Sequence, residues 1–153
     1  MANATETVVE RELVIAAKPE TVWELLVDPE KASAWMGMQS WSDPKPGGLY
    51  RVEVIPGNIA RGEYVELDPP HKLVFTWGWE ADGNPVPAGS STITFELESD
   101  GEGTRLRFVH SGLPSGEAAG SHAHGWDHYF ERLQTAAQGG DPGPDAWLSG
   151  DMS

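Results

Sequence analysis

Two histidines in this chain sit where they could act on a bound molecule. Along the segment 104–110, Leu106, Phe108 and His110 fall on one side and Arg105, Arg107 and Val109 on the other, because successive side chains of a strand alternate. His122 shares an apolar helical stripe with Ala119, Trp126, Phe130, Leu133 and Ala137. If that stripe covers that strand face, the two imidazoles approach one space from opposite walls. A neutral imidazole there can accept a proton from a ligand or donate to a carbonyl. Each ring could equally fill the core or satisfy a backbone group. A second set, His124, Asp127, His128 and Glu131, lies on the opposite side of the same helix and includes the i,i+4 histidine spacing of helical zinc sites. With no third rigid ligand or enclosed site in view, a solvated face is the expectation and no metal is assigned.

Other chemistries lack their residues. The chain has no cysteine, which removes thiolate nucleophiles, disulfides, iron–sulfur clusters and cysteine zinc sites together. Ser111 follows His110 directly, but neighbouring strand residues face opposite ways, so the two do not form a nucleophile and base. There is no Gly-x-Ser-x-Gly elbow, no Walker loop and no dinucleotide fingerprint, so neither covalent nor nucleotide-dependent catalysis is expected and no cofactor is implied.

The elements that must position these residues follow from periodicity. Two-residue alternation over Thr7 to Ala16, with Val9, Arg11, Leu13 and Ile15 the more apolar set, predicts a strand. Lys18-Pro19-Glu20 and Asp28-Pro29-Glu30 each carry a helix start signal, so two short helices follow in tandem, the second running from about Pro29 to Met36 and stopping at Gly37. From Gly47 the period is two again, interrupted by turn residues at 56–58, 68–70, 81–84 and 99–103. That pattern predicts an antiparallel meander of strands near 49–55, 60–67, 72–79, 90–98 and 104–110, with a short one at 38–42. Helical period returns after Pro114-Ser115 and ends at Gly139-Gly140. Within 153 residues this makes one domain, 8–138, between an N-terminal stretch, 1–7, and an acidic Gly/Pro-rich tail, 139–153, both expected to be flexible, with Trp147 the tail residue able to dock.

Lys+Arg 10 against Asp+Glu 24 leaves a net charge of −14, which argues against nucleic acid and anionic membrane as partners, since both require a positive face. No window has the length of a membrane span and no basic-then-apolar leader opens the chain, so a cytoplasmic location is expected. Seven tryptophans supply core volume that the sparse aliphatic residues do not.

Strand, two short helices, meander and long final helix is the order of the helix-grip fold, an α+β class in which a curved antiparallel sheet wraps the C-terminal helix. Pro19-Glu20-Thr21-Val22-Trp23, Gly47-Gly48-Leu49-Tyr50-Arg51, the run Gly62 to Pro70, Leu73-Val74-Phe75-Thr76-Trp77 and Gly125-Trp126 together resemble the activator of heat-shock protein 90 ATPase homologue-like family. That family lies within the START-related (SRPBCC) superfamily. The resemblance covers about Val8 to Ala137 and implies a hydrophobic cavity between the sheet and the last helix. The length leaves no room for the additional chaperone-binding domain of eukaryotic activators, so a lone-domain member is expected.

Alternation and resemblance together give a lining of Tyr50, Val52, Trp77, Phe95, Phe108, His110, His122, Trp126 and Phe130, with Trp35 and Met36 at the implied entrance. The expected function is a non-catalytic module that binds a hydrophobic or amphipathic small molecule. Two alternatives stand beside it: a cyclase- or hydrolase-type enzyme using His110 or His122 as general acid or base, and a chaperone-interaction protein. Exposed edge strands or a docked Trp147 would also serve a homodimer.

Overall fold

The computed structural model describes residues 8–149, so the expectation for 1–7, and the end of the tail, lie outside the described residues. The alternating segments form seven strands: β1 (Val9–Ile15), β2 (Gln39–Ser40), β3 (Leu49–Ile55), β4 (Asn58–Asp68), β5 (Lys72–Trp77), β6 (Ser91–Asp100) and β7 (Gly103–Ser111). They make one antiparallel sheet in the order β1-β7-β6-β5-β4-β3-β2. The hairpin-linked meander accounts for every neighbour except β1, which crosses to pair with β7, Val9 opposite His110 and Ile15 opposite Thr104. Register shifts between Glu53 and Ile55 in β3 and between Tyr64 and Glu66 in β4 add bends that let the sheet curl.

The helices are α1 (Pro19–Val27), α2 (Pro29–Ala32) and α3 (Gly116–Ala137), followed by a single 3₁₀ turn, Ala146–Ser149. Proline opens α1 and α2, where its missing N–H would have had no partner. Ser115 caps α3 by accepting from the Ala118 N–H. α2 is shorter than the expected 29–36: the amides of Ala34 and Trp35 bond three residues back, to Lys31 and Ala32, so the helix tightens into a turn. The turn delivers the Trp35 indole to the Leu25 carbonyl at 2.7 Å. Gly37 then reverses the chain at φ +85°, and a Cβ there would lie 2.8 Å from the Glu53 carbonyl oxygen.

The concave face of the sheet buries Tyr50, Val52 and Val54 of β3, Leu73, Phe75 and Trp77 of β5, Ile93, Phe95 and Leu97 of β6, and Leu106, Phe108 and His110 of β7. Against it α3 presents Ala119, Trp126, Tyr129, Phe130, Leu133 and Ala137. The face assignments read from alternation in β1 and β7 therefore hold. β5 stops at Trp77 rather than Trp79, because Gly78 passes so close to Pro87 that a Cβ would fall 1.7 Å from its carbonyl oxygen. Trp79 makes only isolated bridges, to Ala60 and Pro87.

The chain past Gly140 returns to α3. Trp147 is buried against the face that carries the second histidine set: its ring lies parallel to His128 at 3.8 Å between centroids and stacks on His124 at 5.3 Å. Asp145, also buried, accepts from the Trp147 backbone N–H at 3.0 Å and contacts His128 Nε2 at 2.9 Å. Arg132 secures the return by donating to the carbonyls of Trp35 at 3.1 Å and Gly143 at 3.0 Å. No helix among the described residues is long and apolar enough to cross a membrane.

Candidate functional site

One end of the sheet–helix interface is not closed by side chains. There a cleft of about 440 Å³ opens between the end of β5, the β3–β4 hairpin, the 84–86 loop and the first three turns of α3. Its deep side is aromatic, with Trp77, Trp79, Trp126 and Tyr129, and Trp147 adds a wall from the returning chain. Val54, Ile55, Val86 and Met36 supply aliphatic surface, while Asn58, Asn84, Ser115, Glu117 and Ser121 contribute the polar part of the lining. Gly125 leaves a gap on the helix side, since a Cβ there meets no atom within 4 Å.

The residues singled out in the sequence divide into three groups. Trp77, His122 and Trp126 line the cleft. Trp35, Tyr50, Val52 and Phe95, with Trp126 again, surround a gap of only about 20 Å³ deeper in the interface, room for about one water molecule and no ligand. Phe108, His110 and Phe130 lie beneath Trp126 in continuous aromatic contact, Phe108 to Trp126 at 4.9 Å, Phe108 to Phe130 at 4.8 Å and His110 to Trp126 at 6.1 Å between centroids. Trp79, Tyr129, Val86 and Trp147 are among the cleft residues that sequence reasoning did not bring to the lining, as are Val54, Ile55 and the polar residues Asn58, Asn84, Ser115, Glu117 and Ser121. Trp79 was legible in the β5 alternation, and Trp147 as a dockable tail residue. Nothing local to Tyr129 or Val86 marked them.

The two histidines do come together, at 5.1 Å between ring centroids, and a tryptophan fixes the state of each. Trp126 Nε1–H donates to His110 Nδ1 at 3.1 Å, so that nitrogen carries a lone pair and Nε2 carries the proton, placed 2.8 Å from Ser91 Oγ. The Ser91 hydroxyl in turn donates a hydrogen bond to the Trp77 carbonyl at 2.7 Å. Trp79 Nε1–H donates to His122 Nε2 at 3.1 Å, leaving His122 Nδ1–H to donate to the Ala118 carbonyl at 2.8 Å. Both rings are thus held neutral, in opposite tautomers, with every nitrogen engaged. Burial pushes the His110 pKa down to about 3, with the neighbouring His122 a smaller cause. Burial also lowers that of His122, against a smaller opposing effect of the Ala118 carbonyl.

Two donors in the lining residues have no partner among the described residues: Trp77 Nε1–H and the Tyr129 hydroxyl, both buried. The Tyr129 phenol is held well above its ordinary pKa by burial and then by the charge of Asp145, so it keeps its proton. On the outer face of α3, Asp127 is taken by Arg11 in a two-pronged pair at 2.7 and 3.1 Å, and His128 by Asp145 and Trp147. Among the described residues no three His, Asp or Glu side chains gather as a metal-binding group.

Residues 16–138 match the family model described as Activator of Hsp90 ATPase homolog 1-like protein. An AHSA1-like protein from Rhizobium etli, solved in solution, is 45% identical and superimposes with a TM-score of 0.74 over 95% of this chain and 91% of that one. An HSP90 activator from Plasmodium falciparum, 21% identical, shares the fold with a TM-score of 0.70 over 85% of this chain and 95% of that one. An uncharacterised protein of Schizosaccharomyces pombe is 26% identical over 120 residues, 78% of this chain, and the chain spans about a third of it, 34%.

Proposed function

Because the chain belongs to the Activator of Hsp90 ATPase homolog 1-like family and has its helix-grip architecture, we propose that it is a binding module whose aromatic cleft holds an apolar small molecule carrying an acceptor oxygen. The observation that carries this reading is the pairing of about 440 Å³ of open, tryptophan-walled space with two buried donors on its lining residues that have no partner. A buried donor left unpaired costs about 1–3 kcal/mol, so a carbonyl or hydroxyl oxygen that reaches Trp77 or Tyr129 through a shift of the lining side chains would be bound more tightly than a plain hydrocarbon. The space lies toward the mouth of the interface; the expected deeper lining around Phe108, His110 and Phe130 would serve as its rigid floor. Turnover by either histidine is less well supported, because accepting a substrate proton would require breaking an indole hydrogen bond first.

The test is native mass spectrometry of the purified protein, then identification of anything released on denaturation. A retained oxygen-bearing apolar compound that disappears in Gly125→Leu, which grows a side chain into the cleft, is the expected result. A clean protein mass, together with no heat on titration with a panel of such compounds, would count against it. Family membership also favours a chaperone role. Stimulation of a bacterial ninety-kilodalton chaperone's ATPase at protein concentrations on the order of tens of micromolar is the measurement for that reading.

A further inference from the structure

The cleft discriminates by charge as well as by polarity. Trp77, Trp79, Trp126 and Tyr129 surround it, together with Trp147, whose ring is stacked on His128 and His124, and an aromatic ring attracts cations over its free face. No Lys or Arg stands among the described residues that line it, while Glu117, exposed in the first turn of α3, gives the lining its one carboxylate. Arginines of the neighbouring elements are engaged elsewhere: Arg51 with Glu80 at 2.6 and 3.1 Å, Arg61 with the same carboxylate at 3.8 Å, and Arg132 with backbone carbonyls. The whole molecule carries −14, which concentrates small cations at its surface and repels anions. The unpaired donors of Trp77 and Tyr129 taken alone would also accept a carboxylate. No basic side chain in the lining offsets the charge such a ligand would bring into a desolvated wall, and Glu117 opposes it.

We infer that the occupant of this cleft is an amphiphilic cation, an amine or quaternary ammonium whose apolar body also carries the acceptor oxygen, with that body against the tryptophans and its charge toward Glu117. The inference rests on the ligand-binding reading above and narrows it. Three probes of one shape, each with an ether oxygen, separate the two: 2-(naphthyloxy)ethyl-trimethylammonium, 2-(naphthyloxy)ethanol and naphthyloxyacetate, each titrated calorimetrically into the full-length protein at about 150 mM salt, where distant charges are screened. The cation is expected to bind at least about fivefold more tightly than the alcohol, and the carboxylate more weakly than either. Glu117→Gln should lower the affinity for the cation alone by about threefold or more. Glu98→Gln removes the same charge from an exposed position of β6 outside the cleft and should leave all three unchanged. If the alcohol or the carboxylate binds as well as the cation, or Glu98→Gln weakens the cation as much as Glu117→Gln does, the inference is overturned while cleft binding stands. If none of the three binds, both fall.

Discussion

At the scale of single residues, the indole N–H groups decide what the histidines can be. A protonated His110 would have to present an N–H to Trp126 Nε1–H, and a protonated His122 would do the same to Trp79. The linkage follows in sign: the unfolded chain binds a proton near pH 6.5, the folded His110 only near pH 3, so the unfolded state takes up more protons between those values. The contribution of His110 is complete above about pH 6.5 and is lost progressively as the pH falls toward 3, up to about 5 kcal/mol. Urea denaturation of wild type and His110→Gln at intervals from pH 7 to pH 4 should show the wild type losing stability more steeply, the difference between the two slopes being the readout. Trp79→Phe removes the donor to His122 Nε2 and should let that ring titrate nearer its ordinary value, followed by the chemical shifts of the His122 imidazole. The positions of both rings were legible from alternation and the helical stripe. Their tautomers were not, because these depend on Trp79 and Trp126 reaching across from other elements, and sequence spacing carries no information on where an indole edge points.

At the scale of elements, the strands and α3 were legible to within a few residues because their hydrophobic periods are long and uninterrupted. The short helix α2 and the end of β5 were not. In both places a close approach between backbones decides the matter, the tightened turn before Gly37 in one and Gly78 against Pro87 in the other. Such contacts leave no periodic trace. They do make sharp predictions. A Cβ at Gly62 would sit 1.8 Å from the Thr76 carbonyl oxygen, an overlap only backbone movement can relieve. Gly62→Ala should therefore destabilise the fold by more than about 3 kcal/mol, or prevent it from accumulating in soluble form. Gly125→Ala meets no neighbour and sits within α3, so it should raise stability by about 0.5–1 kcal/mol in thermal or chemical denaturation while narrowing the cleft. The wall contributed by Trp147 was only half visible: the tail could be seen to hold a docking residue, but its seat between His124 and His128 was read as a solvated face. Trp147→Ala should cost about 1–2 kcal/mol and raise amide exchange chiefly over 141–149 and the facing turn of α3, leaving the sheet protected.

At the scale of the whole molecule, the acidic excess dominates. The ion pairs that exist are mostly exposed, such as Arg11 with Asp127 and Arg105 with Glu12, and each is worth little, so they do not cancel the repulsion of the remaining carboxylates. Raising the salt from about 10 to about 200 mM should accordingly lift the thermal midpoint by a few degrees, the opposite of what a fold held by surface pairs would show. The one non-sequential pairing, β1 with β7, has a consequence for how the protein is made. When the ribosome has released β1, its partner is still about a hundred residues from existing, since Val9 lies opposite His110. At usual rates of synthesis that is a wait of roughly 5 to 20 seconds for an unpaired strand. Glu10 and Glu12, which face solvent in the finished sheet, place two negative charges on that strand throughout the delay and discourage it from pairing with another nascent copy.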